Sequence, residues 1–61
     1  MNSTLARKLG DYRLNKAQAH ETLANAHPPG SKAREYHAEV AGRYQTAGAE
    51  ALAGIFHPLK I

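Results

Sequence analysis

Sixty-one residues with no cysteine leave room for one domain at most and exclude disulfides and thiolate metal sites as staples. A chain this short buries only about 60% of the surface its unfolded form exposes, so a two-helix monomer is marginal and self-association is the expected source of further core. Eight Lys and Arg against five Asp and Glu, net +3, do not make the basic clusters of a dedicated duplex-DNA binder, and no apolar stretch approaches the roughly 20 residues of a membrane span.

Asn2, Ser3 and Thr4 each carry a short side-chain oxygen that can accept from the free amides of a first helical turn, which places helix 1 at about 4–26. Along it Leu5, Leu9, Tyr12, Lys16, Ala19, Leu23 and Ala26 recur three or four positions apart, with Lys16 the interruption. That spacing predicts a single stripe buried against a partner. Pro28-Pro29 stops the helix, because proline disfavours the α conformation in the residue before it. Gly30 permits a left-handed turn and Ser31 can cap a second helix, giving a turn at 27–31.

Helix 2 is placed at about 32–55, with Pro58 after the stop. It carries Ala33, Tyr36, Val40, Tyr44, Ala47, Ala51 and Ile55, with a second row of Ala41, Gly48, Leu52 and Phe56 beside them. Gly42, Gly48 and Gly54 each cost a helix about 1 kcal/mol relative to alanine, which reads as a sign of close backbone approach. The expected fold is all-α: one domain over 1–61, an antiparallel helical hairpin that self-associates into a four-helix or larger bundle. With the turn centred near Pro29, Leu23 faces Tyr36, Tyr12 faces Ala47, Lys16 faces Arg43, and Leu5 meets Gly54 or Ile55. Leu5, Leu9, Leu52, Ile55 and Phe56 form the largest apolar cluster and the expected oligomer contact.

Lys16 and Arg43 facing each other near a seam need a counter-charge or water. Arg13, His20, Tyr12 and Tyr44 fall within a turn of them, so the six residues make a candidate pocket for an anion or nucleotide. Guanidinium and ammonium groups hold phosphates there, and tyrosine stacks on a base. The structural alternative is that the long basic side chains reach solvent and Glu39 pairs with Arg43 four residues on. His20 and His37 can approach across the hairpin with Glu21 or Glu39 nearby. No His-x-x-x-His or Glu-x-x-His spacing occurs on either helix, so no metal site and no cofactor is expected. His27 and His57 each precede a proline and belong to helix ends. The hydroxyls match no nucleophile motif, there is no Gly-rich phosphate loop, and Asp11, Glu21, Glu35, Glu39 and Glu50 are spread over several faces. A non-enzymatic protein is expected.

Arg34, then Gln45-Thr46, then Ile55 and Pro58 resemble the second helix of phage-encoded helical-hairpin sponges for cyclic nucleotides. The resemblance implies counter-defence by sequestering a host immune signal and assigns no site residue. The architecture is also similar to that of the plasmid copy-number protein that grips paired RNA loops. Arg7, Lys8, Arg13 and Lys16 would supply the basic groups for RNA, although Arg7 lies nearly opposite Lys16. A third class is an inhibitor or adaptor that lays the apolar stripe against another protein's helix. The N-terminus lacks the apolar core of a secretory signal, so a cytoplasmic location is expected.

Overall fold

The computed structural model describes residues 3–59 and contains two helices, α1 (Ser3–Asn25) and α2 (Lys32–Leu52), packed as an antiparallel hairpin. The helix placement read from the sequence holds to within a residue or so at three of the four ends. Asn2, one of the capping candidates, lies outside the described residues. Between the helices the Ser31 amide donates to the Pro28 carbonyl at 3.1 Å, and Gly30 sits at φ +83°. Proline followed by a positive-φ glycine at the centre of the turn is the signature of a type II turn. Ser31 then caps α2, its hydroxyl accepting from the Arg34 amide at 3.2 Å. The Arg34 guanidinium reaches back to the His27 carbonyl at 3.1 Å and ties the end of α1 to the first turn of α2.

The far end of α2 differs from expectation. The helix stops at Leu52 rather than near residue 55, because Gly54 adopts φ +87°. The Gly54 amide donates to the Ala51 carbonyl and the Ile55 amide to that of Glu50, the paired bonds of a Schellman motif. Ile55 and Phe56 therefore belong to a tail and not to the helical stripe.

The hairpin's rotation about the helix axes also differs from the sequence reading. The stripe Leu5, Tyr12, Lys16, Ala19, Leu23 and Ala26 is exposed, and Leu9 is half-buried. What α1 turns toward α2 is Ala6, Gly10, Ala17 and Ala24, a parallel row with the same heptad spacing one residue further along. From α2 come Val40, Ala41, Ala47, Gly48 and Ala51. The axial register is close to the expected one, with Arg13 reaching Ala47 and His20 reaching His37. Rotation by one residue, about 100°, separates the two readings.

Small residues win the seam because they let the helix backbones approach. A Cβ built on Gly10 would lie 3.1 Å from the Gly48 carbonyl oxygen, and one on Gly48 would lie 3.2 Å from that of Gly10. The consequence is a thin core. Among the described residues the buried apolar groups are six alanines and Val40, and no large side chain is fully buried.

The molecule measures 42 × 17 × 12 Å, one helical layer thick, with a radius of gyration of 12.6 Å against about 10.5 Å for a compact domain of this length. Its surface of 4392 Å² exceeds by about 500 Å² that of a typical folded monomer of its mass. No helix among the described residues is long and apolar enough to cross a membrane.

Candidate functional site

Helical geometry sorts the side chains that do not enter the seam. At about 100° per residue, Leu5, Leu9, Tyr12, Arg13, Lys16, His20 and Leu23 project to one side of the seam along α1. On α2 the same side carries Tyr36, Arg43, Ala47 and Glu50. Three contacts across the seam fix the two sets together: Arg13 to Ala47, and His20 to both His37 and Tyr44. This flank therefore collects Tyr12, Tyr36 and Leu23, all about half exposed, with Arg13, Lys16, His20 and Arg43, and Tyr44 joins it through His20.

The setting differs from the expected one: Lys16 and Arg43 are both exposed rather than set in a buried seam, and each has a partner on its own helix. The Lys16 ammonium stands 5.8 Å from the Tyr12 ring centre, a cation–π distance. Arg43 donates to Glu39 at 2.7 Å, the i,i+4 pair, with both side chains at least half exposed. A pair so placed contributes at most about 1 kcal/mol and exchanges readily with other partners.

Arg13 is held by both helix and tail, its guanidinium donating to the Ala47 carbonyl at 3.3 Å and the His57 carbonyl at 3.2 Å. It thus clamps the tail back along α2, where the His57 ring lies 3.9 Å from the Glu50 carboxylate. Arg13→Met keeps the aliphatic stem and removes both donors. Its expected effect is release of the tail to carboxypeptidase and a loss of about 1 kcal/mol in thermal or urea unfolding.

His20 and Tyr44 belong to a row of aromatic rings that sequence reading reached only in part. Ring centres run from His27 to His37 at 5.8 Å, His37 to His20 at 5.2 Å, and His20 to Tyr44 at 5.7 Å, while Tyr36 meets His37 edge-on at 5.2 Å. Within it the Nδ1 atoms of His20 and His37 are 3.0 Å apart. With nitrogens so much closer than ring centres, and planes only 29° apart, the contact is edge to edge along an N–H···N hydrogen bond. Among the described residues no group of three or more His, Cys, Asp or Glu is arranged to hold a metal.

A groove of about 550 Å³ lies between α2 and the folded-back tail and is lined by Glu39, Arg43, Glu50, His57 and Pro58 among others. Of the six expected ligand residues only Arg43 reaches it, and its two carboxylates against one guanidinium make it a poor phosphate site. The expected oligomer contacts are also divided. Leu5 lies on the Tyr12 flank, whereas Leu52 covers Gly10 and lines a cavity with Ser3, Ala6 and Arg7 on the opposite side; Ile55 and Phe56 are exposed in the tail. No protein-family model matches the chain, and neither a curated protein nor a solved structure matches it.

Proposed function

We propose that the chain is a non-enzymatic binding protein that works as a self-associated bundle of hairpins, with a second copy covering the Leu5–Leu9–Tyr12–Leu23 flank. The observation carrying this reading is the inversion of residue size: α1 spends Ala6, Gly10, Ala17 and Ala24 on the internal seam and leaves Leu5, Tyr12 and Leu23 outside. A heptad row kept over the length of α1 is what a second helical seam requires. The approximately 500 Å² of surface beyond that of a compact monomer, with so thin a core, favours an identical partner, since each hairpin brings the same uncovered row.

The same flank supports a phosphorylated nucleotide as ligand. Lys16 is an exposed cation 5.8 Å from the Tyr12 ring centre, and Arg43 is an exposed guanidinium whose Glu39 partner is exposed as well. Arg13 and His20 would act there as supports, since Nη1 and Nη2 of Arg13 and Nδ1 of His20 are already engaged. Calorimetry of the wild-type protein with cyclic mono- and dinucleotides tests this part. Binding that falls at least about tenfold in the Lys16→Gln, Arg43→Gln double variant supports it, given the strength of charge-assisted contacts to phosphate. Equal affinity in the variant, or none in the wild type, rejects the ligand and leaves the self-association reading to its own test.

A further inference from the structure

We infer that His20 and His37 form a proton-sharing latch across the hairpin, closed while the pair carries at most one proton beyond neutrality and opened when both imidazoles are fully protonated. The inference rests on the in-line contact of the two Nδ1 atoms at 3.0 Å and does not depend on self-association. A neutral imidazole has one N–H donor and one bare nitrogen acceptor. A contact between two Nδ1 atoms therefore requires opposite tautomers, one ring with its proton on Nδ1 and the other with its proton on Nε2. One added proton on the outer nitrogen of the Nδ1–H ring leaves the bond in place with a cationic donor. A second puts a hydrogen on both facing nitrogens, so donor meets donor and two like charges stand together across the seam.

The surroundings offer the doubly charged state little relief. His20 is flanked by the Tyr44 ring at 5.7 Å, and His37 by the His27 ring at 5.8 Å and the Tyr36 edge at 5.2 Å. The rings in contact with the pair are thus His27 from the turn that follows α1 and two tyrosines from α2, and Lys16, one turn before His20, adds a cation to the same flank. Among the described residues no carboxylate is paired with either imidazole. His27 adds a third cation to the row when it too is protonated. The remaining histidine acts in the opposite sense, because a protonated His57 gains attraction to Glu50 at the other end of the hairpin. Both partners are half-buried and belong to different helices, so the bond they share is one of the few polar links between α1 and α2. Its loss therefore loosens helix pairing near the turn. Two histidines this close bind protons as a pair and not one by one, so the latch answers to the pair's total charge.

The test is long-range proton–nitrogen NMR of the ¹⁵N-labelled full chain, with hydrogen exchange of residues 17–24 followed on the same samples. At pH 8 one of the two rings is expected as the Nδ1–H tautomer and the other as Nε2–H, with a scalar coupling across the bond. At pH 5 the coupling disappears, and the opening constant for these amides, corrected for intrinsic exchange, rises about tenfold, as loss of a hydrogen bond and juxtaposition of like charges imply. His37→Gln abolishes this rise, while His57→Gln retains it. Two Nε2–H rings without coupling at pH 8, or protection unchanged between pH 8 and 5, overturns the inference. Because the tautomers are read in the wild-type protein, the result does not depend on His37→Gln folding.

Discussion

Gly10→Ala and Gly48→Ala are each expected to destabilise the hairpin by about 1–3 kcal/mol, although alanine is the better helix former by about 1 kcal/mol. The reason is the crossing of the two backbones at this point. On Gly48 a Cβ would meet Leu14 Cγ at 2.9 Å and the Gly10 carbonyl oxygen at 3.2 Å. On Gly10 it would lie 2.5 Å from Leu52 and 3.1 Å from the Gly48 carbonyl oxygen. Leu52 is half exposed and can swing aside, whereas the carbonyl belongs to a helix that must move as a body. Gly42 supplies the control, since a Cβ there meets nothing within 4 Å. Gly42→Ala is expected to raise stability by about 0.5–1 kcal/mol. Urea unfolding followed by circular dichroism separates these signs. Stabilisation by all three alanines would mean that the backbones do not approach as closely as described.

Replacing Tyr12 and Leu23 together by Glu is expected to weaken self-association by about a hundredfold or more, the range of anchor residues at the centre of an interface. Both side chains are about half exposed in the single hairpin, so within one hairpin these are surface changes of roughly 0.5 kcal/mol or less each. Covered by a second copy, they would bring unpaired carboxylates into an apolar seam. Gln18→Glu, exposed on the opposite flank, leaves association unchanged. Sedimentation equilibrium over a range of concentrations reads the effect. Equal association of wild type and double variant would remove this flank as the contact.

The hairpin itself was legible in the sequence. Pro28-Pro29-Gly30-Ser31 carries the helix stop, the left-handed turn residue and the cap in consecutive positions, and each performs that role. Glu39 with Arg43, and the approach of His20 to His37, were likewise available from spacing alone. Rotation of α1 was not, because side-chain size selected the wrong one of two rows with the same period. Leu5, Tyr12 and Leu23 form the more apolar row, but a two-helix layer pairs most closely through Ala6, Gly10, Ala17 and Ala24. The signal that would have found the seam is the match of that row to the small residues Ala41, Ala47, Gly48 and Ala51 on α2.

Three glycines of the second half that look alike in sequence serve different ends: Gly48 admits the neighbouring backbone, Gly54 takes the positive φ that stops α2, and Gly42 stands open. The tail departs from the helical spacing for a related reason. Ile55 continues the helical spacing, yet the conformation of Gly54 ends the helix before it. Nothing local to Arg13 in sequence points to its role, since its partners lie 34 and 44 residues away.

A native mass spectrum of the wild-type protein, recorded after gentle purification and repeated across concentrations, is the decisive measurement. A dimer or larger even-numbered assembly is expected, because the alanine seam alone leaves Leu5, Tyr12, Leu23 and Tyr36 in water. A chain that stays monomeric at every concentration and still unfolds cooperatively would contradict the proposal that a second copy completes the fold.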